Sequence, residues 1–231
     1  MKRNGELSAR DAPVQFADRK QAGQVLAQKL LRYRDDAGAV VLALPRGGVP
    51  VAFEVAHALH APLDVFIVRK LGLPGHEEFA MGAIATGGVM VMNPDLAGFH
   101  IPEPAIEAVV ARERSELDRR EVLYRGDRPP LPIEGRVAIL VDDGLATGST
   151  MLAAATAVRR QRPKRIVVAV PVAAAETCQA FRSEVDEVVC AVTPESFRAV
   201  GMWYADFGQV SDAEVHALLD AAWRAESDRA A

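Results

Sequence analysis

The sequence predicts an α/β fold with a central, mostly parallel sheet flanked by helices. Three observations predict it. Residues 39–44, 137–141 and 165–170 carry aliphatic runs without polar alternation, the pattern of strands buried on both faces. Apolar residues at helical spacing separate these runs, as at Ala52, Val55, Ala56 and Leu59 and again at Met151, Ala155 and Val158. Two of the runs also end in glycine-bearing turns that lead straight into a helix. Such alternation implies parallel pairing through right-handed crossovers.

A chain of 231 residues is long enough for one large domain with its own core, and residues 1–231 are read as a single domain. Half the residues are hydrophobic and 25% are charged, ordinary for a globular protein. The net charge of −4 argues against a general nucleic-acid binder. No apolar run reaches membrane-spanning length, and the N-terminus has no signal-peptide pattern. Cys178 and Cys190 stand apart from each other and from any His, so neither a metal site nor a disulfide framework is indicated. A reduced, cytoplasmic setting without membrane partners is the expectation. A homo-oligomer is compatible with the sequence, which does not specify one.

Residues 1–17 have no periodicity and read as an irregular leader. Asp18 is a good N-cap with Gln21 three residues on, and Ala22, Val25, Leu26 and Leu30 mark a helix ending near Arg34. The strand at 39–44 runs into Pro45-Arg46-Gly47-Gly48-Val49-Pro50, where Pro50 suits a helix's first turn. Arg46 offers a planar fork suited to phosphate oxygens. Residues 63–68 form the next strand and deliver two cations, Arg69 and Lys70, at its end. Residues 71–79 read as a mobile loop. His76, Glu77 and Glu78 there are either proton carriers or solvated charges. Residues 80–85 and 89–92, joined across Thr86-Gly87-Gly88, predict a β-hairpin.

Residues 104–125 predict a long helix, apolar at Ile106, Val109 and Val110 and charged later, inserted before the central strand. Arg112–Glu116, Glu116–Arg120 and Glu121–Arg125 are i, i+4 pairs, so its second half reads as a solvated face. The proline-rich segment 126–132 is a stiff linker. Beyond the central strand come the strand at 165–170, a short helix over 173–182 and a strand at 187–192. Residues 193–207 concentrate aromatics, which either plug a small satellite core or stack on a planar ligand. Ser211 and Glu214 form a capping box that opens the last helix on Val215, Leu218, Leu219 and Ala222.

Residues 136–151 carry the most chemistry. The strand 137–141 stops at Asp142 and Asp143, and Thr147-Gly148-Ser149-Thr150 then leads into a helix. Unpaired backbone N–H groups and the helix dipole favour an anion at that start. The hydroxyls add donors, and Gly148 allows close approach. Ionised carboxylates would repel a phosphate, so the aspartates suit a sugar diol or a Mg²⁺ ion. A ribose 5-phosphate unit presents both a phosphate and a diol. No Lys follows the glycine, which excludes a Walker A loop.

Val141-Asp142-Asp143-Gly144-Leu145-Ala146-Thr147-Gly148-Ser149-Thr150 resembles the phosphoribosyl pyrophosphate (PRPP) motif of the type I phosphoribosyltransferases. Arg46-Gly47-Gly48 resembles their pyrophosphate loop, most closely that of the xanthine–guanine enzymes. The whole pattern looks like bacterial phosphoribosyltransferases of unassigned acceptor, with likeness over about 38–195. The resemblance implies a type I phosphoribosyltransferase-like fold with that stretch as core. It also implies a small hood, assigned to about 18–37 and 196–225.

The implied reaction displaces pyrophosphate from C1 of PRPP by a nitrogenous base, with Mg²⁺ as cofactor. Thr147, Gly148, Ser149 and Thr150 would bind the 5-phosphate. Asp142 and Asp143 would bind the ribose hydroxyls and Mg²⁺, directly or through the diol or water. Arg46, Gly47 and Gly48 would hold pyrophosphate, with Arg69 or Lys70 as the catalytic cation. The segment 71–79 corresponds to the loop that closes over PRPP. Hypoxanthine–guanine enzymes carry an Asp where Ala146 stands, which argues against a 6-oxopurine acceptor. Adenine enzymes have Ala there, but the hood matches none of these groups. A PRPP-binding regulator and a ribosyl-phosphate hydrolase are the alternative readings.

Overall fold

The aliphatic runs form strands because both faces of the sheet are covered. In this computed structural model, which describes residues 15–93 and 102–230, every position of β1 (Ala39–Ala43) and β6 (Val137–Val141) is buried. Five parallel strands lie in the order β2 (Leu63–Val65), β1, β6, β7 (Arg165–Val172) and β8 (Glu187–Val192). Alternate side chains sort the core into two layers. Val41, Ala43, Ile139, Val141, Val167 and Ala169 pack with α1 (Arg19–Lys29), α2 (Gly48–Leu59), α3 (Glu103–Arg125) and α6 (Asp212–Ala230). Val40, Leu42, Ala138, Leu140, Ile166 and Val168 pack with α4 (Ser149–Arg160) and α5 (Ala175–Ala180). The chain leaves β1 towards β2 on one side, whereas β6 continues to β7 and β8 on the other. Strands β1 and β6 therefore flank the topological switch point, where open α/β sheets bind ligands. Ala43 and Val141 are register partners, so the loops that follow them emerge level with each other.

Helix α1 begins as its cap predicts, with Asp18 Oδ1 accepting from Gln21 N at 2.7 Å. It stops at Lys29, and a 3₁₀ turn over Leu31–Tyr33 carries the chain to Arg34. The expected hairpin is present as β4 (His76–Ala85) and β5 (Val89–Met92). Among the described residues no helix is long and apolar enough to cross a membrane.

Several expectations are corrected. The strand expected over 63–68 is split. Thr86 draws the backbone away from the parallel sheet, its Oγ1 accepting from Ile67 N and its own N–H donating to Ile67 O, both at 2.9 Å. Arg69 and Lys70 therefore lie on β3 (Val68–Leu73), in a separate three-stranded antiparallel sheet with β4 and β5. The mobile loop expected over 71–79 is instead the β3–β4 ribbon, turning at Pro74-Gly75. Residues 76–80 are exposed throughout, so no burial alternation marked the strand.

The second half of α3 is not simply solvated: Glu113, Leu117, Tyr124 and Arg125 are buried. Of the expected i, i+4 pairs, Glu116–Arg120 and Glu121–Arg125 form, whereas Arg112 turns to Glu113. Cys178 on α5 and Cys190 on β8 are joined in a disulfide, because α5 folds back beside the strand that follows it.

The two segments assigned to the hood divide between two hydrophobic clusters. Leu26 and Leu30 of the N-terminal segment and Val215, Leu219 and Trp223 of α6 belong to the main core. A smaller cluster joins Phe16, Ala22, Val172 and Tyr204, with Phe197, Val200 and Trp203 packed on it. Phe16 N donates to Trp203 O and Ala205 N donates to Phe16 O, both at 2.8 Å. The part of the leader from Gln15 is thus tied to the aromatic segment, and the rest lies outside the described residues.

Candidate active site at the switch point

Strand β6 delivers Asp142 and Asp143 at its carboxyl end. Asp142 Oδ1 accepts from Asp143 N at 2.8 Å, which folds the two acids into one tight turn. Burial pushes the Asp142 carboxyl well above its ordinary value, and the adjacent Asp143 charge pushes it the same way. Burial also raises Asp143, while Arg19 pulls it back by a hydrogen bond and its charge.

The turn after β1 lies against this pair. A methyl group on Gly47 would sit 2.1 Å from Asp143 Oδ2, and one on Gly48 would meet Val141 O at 2.7 Å and Asp142 Cα at 2.9 Å. Only glycine lets the two loops approach this closely. The Pro45–Arg46 peptide is cis. Since the atoms facing Gly48 are backbone, Gly48→Ala is expected to cost about 1–3 kcal/mol by overpacking. Urea unfolding measures it, and an unchanged midpoint would mean that the loops separate without strain.

Thr147, Ser149 and Thr150 are exposed at the start of α4, and Gly148 is buried between them. Gly148 has φ +76°, and its α-carbon abuts Phe181 closely enough that an added Cβ would lie 2.5 Å from the ring. Thr177 Oγ1 donates to Ala146 O at 2.7 Å. Helix α5 and its disulfide thus back the loop from behind. A cavity of about 180 Å³ opens in front of it, lined by residues 144–151 with Asp142 and Val200. Val200 closes over Gly144, where an added Cβ would lie 2.4 Å from Val200 Cγ1.

The cations are placed less uniformly. Arg46 Nη1 lies 3.7 Å from Asp212 Oδ1 at the start of α6, a loose pair on a partly exposed side chain. Arg69 donates to Glu113 Oε2 through Nη2 at 2.6 Å and Nε at 3.0 Å. Burial works against the Glu113 carboxylate, but hydrogen bonds from Arg69 and Arg112 outweigh it and hold the group below its ordinary value. Lys70 Nζ donates to Glu78 O at 3.3 Å. His76 and Glu78 are exposed beside each other. The sheet edge therefore gathers Arg46–Gly48, Asp142, Asp143 and Ala146–Thr150, whereas Arg69 and Lys70 are engaged on the second sheet.

Arg19 and Tyr204 were not singled out from the sequence. Arg19 Nε donates to Asp143 Oδ2 at 2.8 Å, and Tyr204 Oη donates to Asp143 O at 2.5 Å. A signal for Arg19 was available. The first turn of α1 carries Arg19 and Lys20 and no acid, although cations there oppose the helix dipole. A charge so placed calls for a partner elsewhere.

A family model described as the phosphoribosyl transferase domain matches residues 15–202. Two Mycobacterium tuberculosis proteins named "Putative phosphoribosyl transferase", from strains H37Rv and CDC 1551 / Oshkosh, are each 49% identical over 210 residues. The match covers 90% of this chain and 47% of each relative, so the chain spans about half the length of these curated relatives. The crystal structure of TT1426 from Thermus thermophilus is similar at a TM-score of 0.79 and 45% identity. That likeness covers 89% of this chain and 97% of the other.

Proposed function

This chain belongs to the phosphoribosyl transferase family, and we propose that it transfers the phosphoribosyl group of PRPP to a nitrogenous base with release of pyrophosphate. The observation that carries this reading is the close packing of Gly47 and Gly48 on Asp142 and Asp143 across the switch point. It puts a loop suited to diphosphate beside acids suited to a diol, with a phosphate cradle next along the chain.

Thr147 to Thr150 would hold the 5-phosphate through hydroxyls and helix N–H groups. Asp142 and Asp143 would accept from the ribose hydroxyls, and the Arg46–Gly48 turn would receive pyrophosphate. Glu113 already neutralises Arg69, so Lys70 is the cation better able to answer the leaving group's charge. Mg²⁺ fits the donor set. Mg²⁺ is commonly held by one or two carboxylates together with substrate phosphates, and no cluster of three or more acidic, His or Cys ligands occurs among the described residues. When bound, Mg²⁺ would neutralise the diphosphate. The Ala146 methyl cannot exchange a proton with a purine ring, which favours acceptors other than 6-oxopurines. The same proposal includes small-molecule substrates, no membrane partner and a cytoplasmic setting, and the net charge of −4 supports leaving nucleic acid out as a partner.

The test incubates PRPP and Mg²⁺ with a panel of bases and amines and follows products by mass spectrometry. A new nucleotide with stoichiometric pyrophosphate is expected for at least one acceptor. Release of ribose 5-phosphate whatever the acceptor would replace the transferase by a hydrolase. Replacing both Thr147 and Thr150 with Val should weaken ribose 5-phosphate and PRPP alike by about 10²-fold, two hydrogen bonds to a charged group being lost. Calorimetry measures both. Loss of PRPP affinity alone would place the 5-phosphate elsewhere.

A further inference from the structure

Arg19 is the most heavily engaged cation near the acidic pair, and it reaches that pair from 124 residues away. Its side chain is 12% exposed and meets two hydrogen-bond acceptors and two aromatic rings, Phe207 and Tyr204. Nε donates to Asp143 Oδ2 at 2.8 Å, and Nη1 donates to Gly208 O at 2.7 Å. The guanidinium carbon lies 3.9 Å from the centre of the Phe207 ring. That ring packs on Tyr204 at 5.0 Å, and Tyr204 in turn donates to the backbone oxygen of Asp143. The N-terminal helix, the aromatic segment and the diol-facing acid thus meet on one side chain.

A scaffold role alone accounts poorly for this arrangement. A cation in the first turn of α1 opposes the helix dipole, and holding it nearly buried costs solvation. An apolar residue stacked on Phe207 would join the same segments without either penalty. What an apolar residue could not do is hold one oxygen of Asp143. Arg19 fixes Oδ2, and no other side chain of the described residues hydrogen-bonds this carboxylate. That contact limits rotation of the carboxylate, and among the described residues no side chain donates a hydrogen bond to Oδ1.

We propose that Arg19 is a positioning residue for ribose recognition: its grip on Asp143 Oδ2 orients the carboxylate towards the ligand diol, and its stacking on Phe207 makes that orientation depend on the docked aromatic segment. The inference rests on the phosphoribosyl reading above and extends it to a residue that touches no substrate. It explains why the N-terminal and C-terminal segments converge at this sheet edge. They hold the acid in the orientation the diol requires.

The test compares ribose 5-phosphate with 2-deoxyribose 5-phosphate, binding each to wild type, Arg19→Gln, Arg19→Lys and Phe207→Leu by calorimetry. Wild type is expected to prefer the intact diol. Arg19→Gln should lose about tenfold in ribose 5-phosphate affinity, as for one hydrogen bond to a charged group, and leave the deoxy ligand nearly unchanged. Arg19→Lys should recover part of the preference, because it keeps the charge but not the fork. Phe207→Leu, at a more exposed position, should shift the same ratio less, and it carries the test if Arg19→Gln does not fold. Equal weakening of both ligands, or an unchanged ratio, overturns the positioning role and leaves the phosphoribosyl reading intact. Wild type binding neither ligand overturns both.

Discussion

Arg125→Ala is expected to destabilise the protein by about 3–5 kcal/mol, the cost of leaving a buried charge without its partner. Arg125 is 4% exposed and Asp64 is 2% exposed. Arg125 Nε donates to Asp64 Oδ1, and its Nη2 donates to Val65 O, both at 2.7 Å. Leu131 N donates to Asp64 Oδ2 at 3.0 Å, so the same carboxylate anchors the proline-rich linker. Alanine would remove the cation that Asp64 shares with Glu121 and leave the Asp64 carboxylate with the backbone donors Val65 N and Leu131 N. Burial already raises the Asp64 carboxyl above its ordinary value, with Arg125 pulling it down.

Without Arg125 that value rises further. A raised acid binds protons more tightly when folded, so stability falls as pH climbs above the ordinary carboxylate value of 3.8. The deficit of Arg125→Ala should therefore be smaller near pH 4 than near pH 8, measured as the urea midpoint at each. The double variant Asp64→Asn with Arg125→Met should recover much of the loss, since it removes both charges. A cost below about 1 kcal/mol for Arg125→Ala would mean that water reaches Asp64.

The second large effect concerns the site. Asp142→Asn with Asp143→Asn is expected to lower Mg²⁺-dependent PRPP affinity by at least about 10²-fold, as two charged acceptors become neutral. Calorimetry with and without Mg²⁺ measures this, and wild-type affinity would end the diol assignment. Asp142→Asn alone supplies the folding control. The amide oxygen can still accept from Asp143 N, while the buried like-charge repulsion disappears. Because the folded value of Asp142 is raised, wild type loses stability as pH climbs above 3.8, and the Asn variant escapes that part of the loss. Its Tm at pH 8 should be no lower than that of wild type. Poor binding with full stability would separate function from folding.

The sheet was legible because burial on both faces leaves a one-dimensional trace. The runs at 39–44, 137–141 and 165–170 needed no tertiary information to be read as strands, and Asp18 with Gln21 announced α1. The Arg46–Gly48 and Asp142–Thr150 segments were legible as strand-to-helix loops because each ends a buried strand and opens a helix. Their contact was not legible. It follows from β1 and β6 being neighbours with Ala43 and Val141 in register. The turn end of the β3–β4 ribbon left no trace, since residues 76–79 are exposed and free of the alternation that burial imposes. The charged half of α3 was misread for the opposite reason. Glu113 and Arg125 look like surface residues in sequence and are buried by partners on β3 and β2.

By itself the sequence determined the α/β class, the two loops and the chemistry each loop can offer, because these depend on residues adjacent in the chain. Only the tertiary structure decided that Arg19 grips Asp143, that Arg125 neutralises Asp64 and that Cys178 meets Cys190. Burying a charge or closing a long loop is unfavourable on its own. Such residues reveal their role only when distant strands and helices have brought the compensating partner within reach.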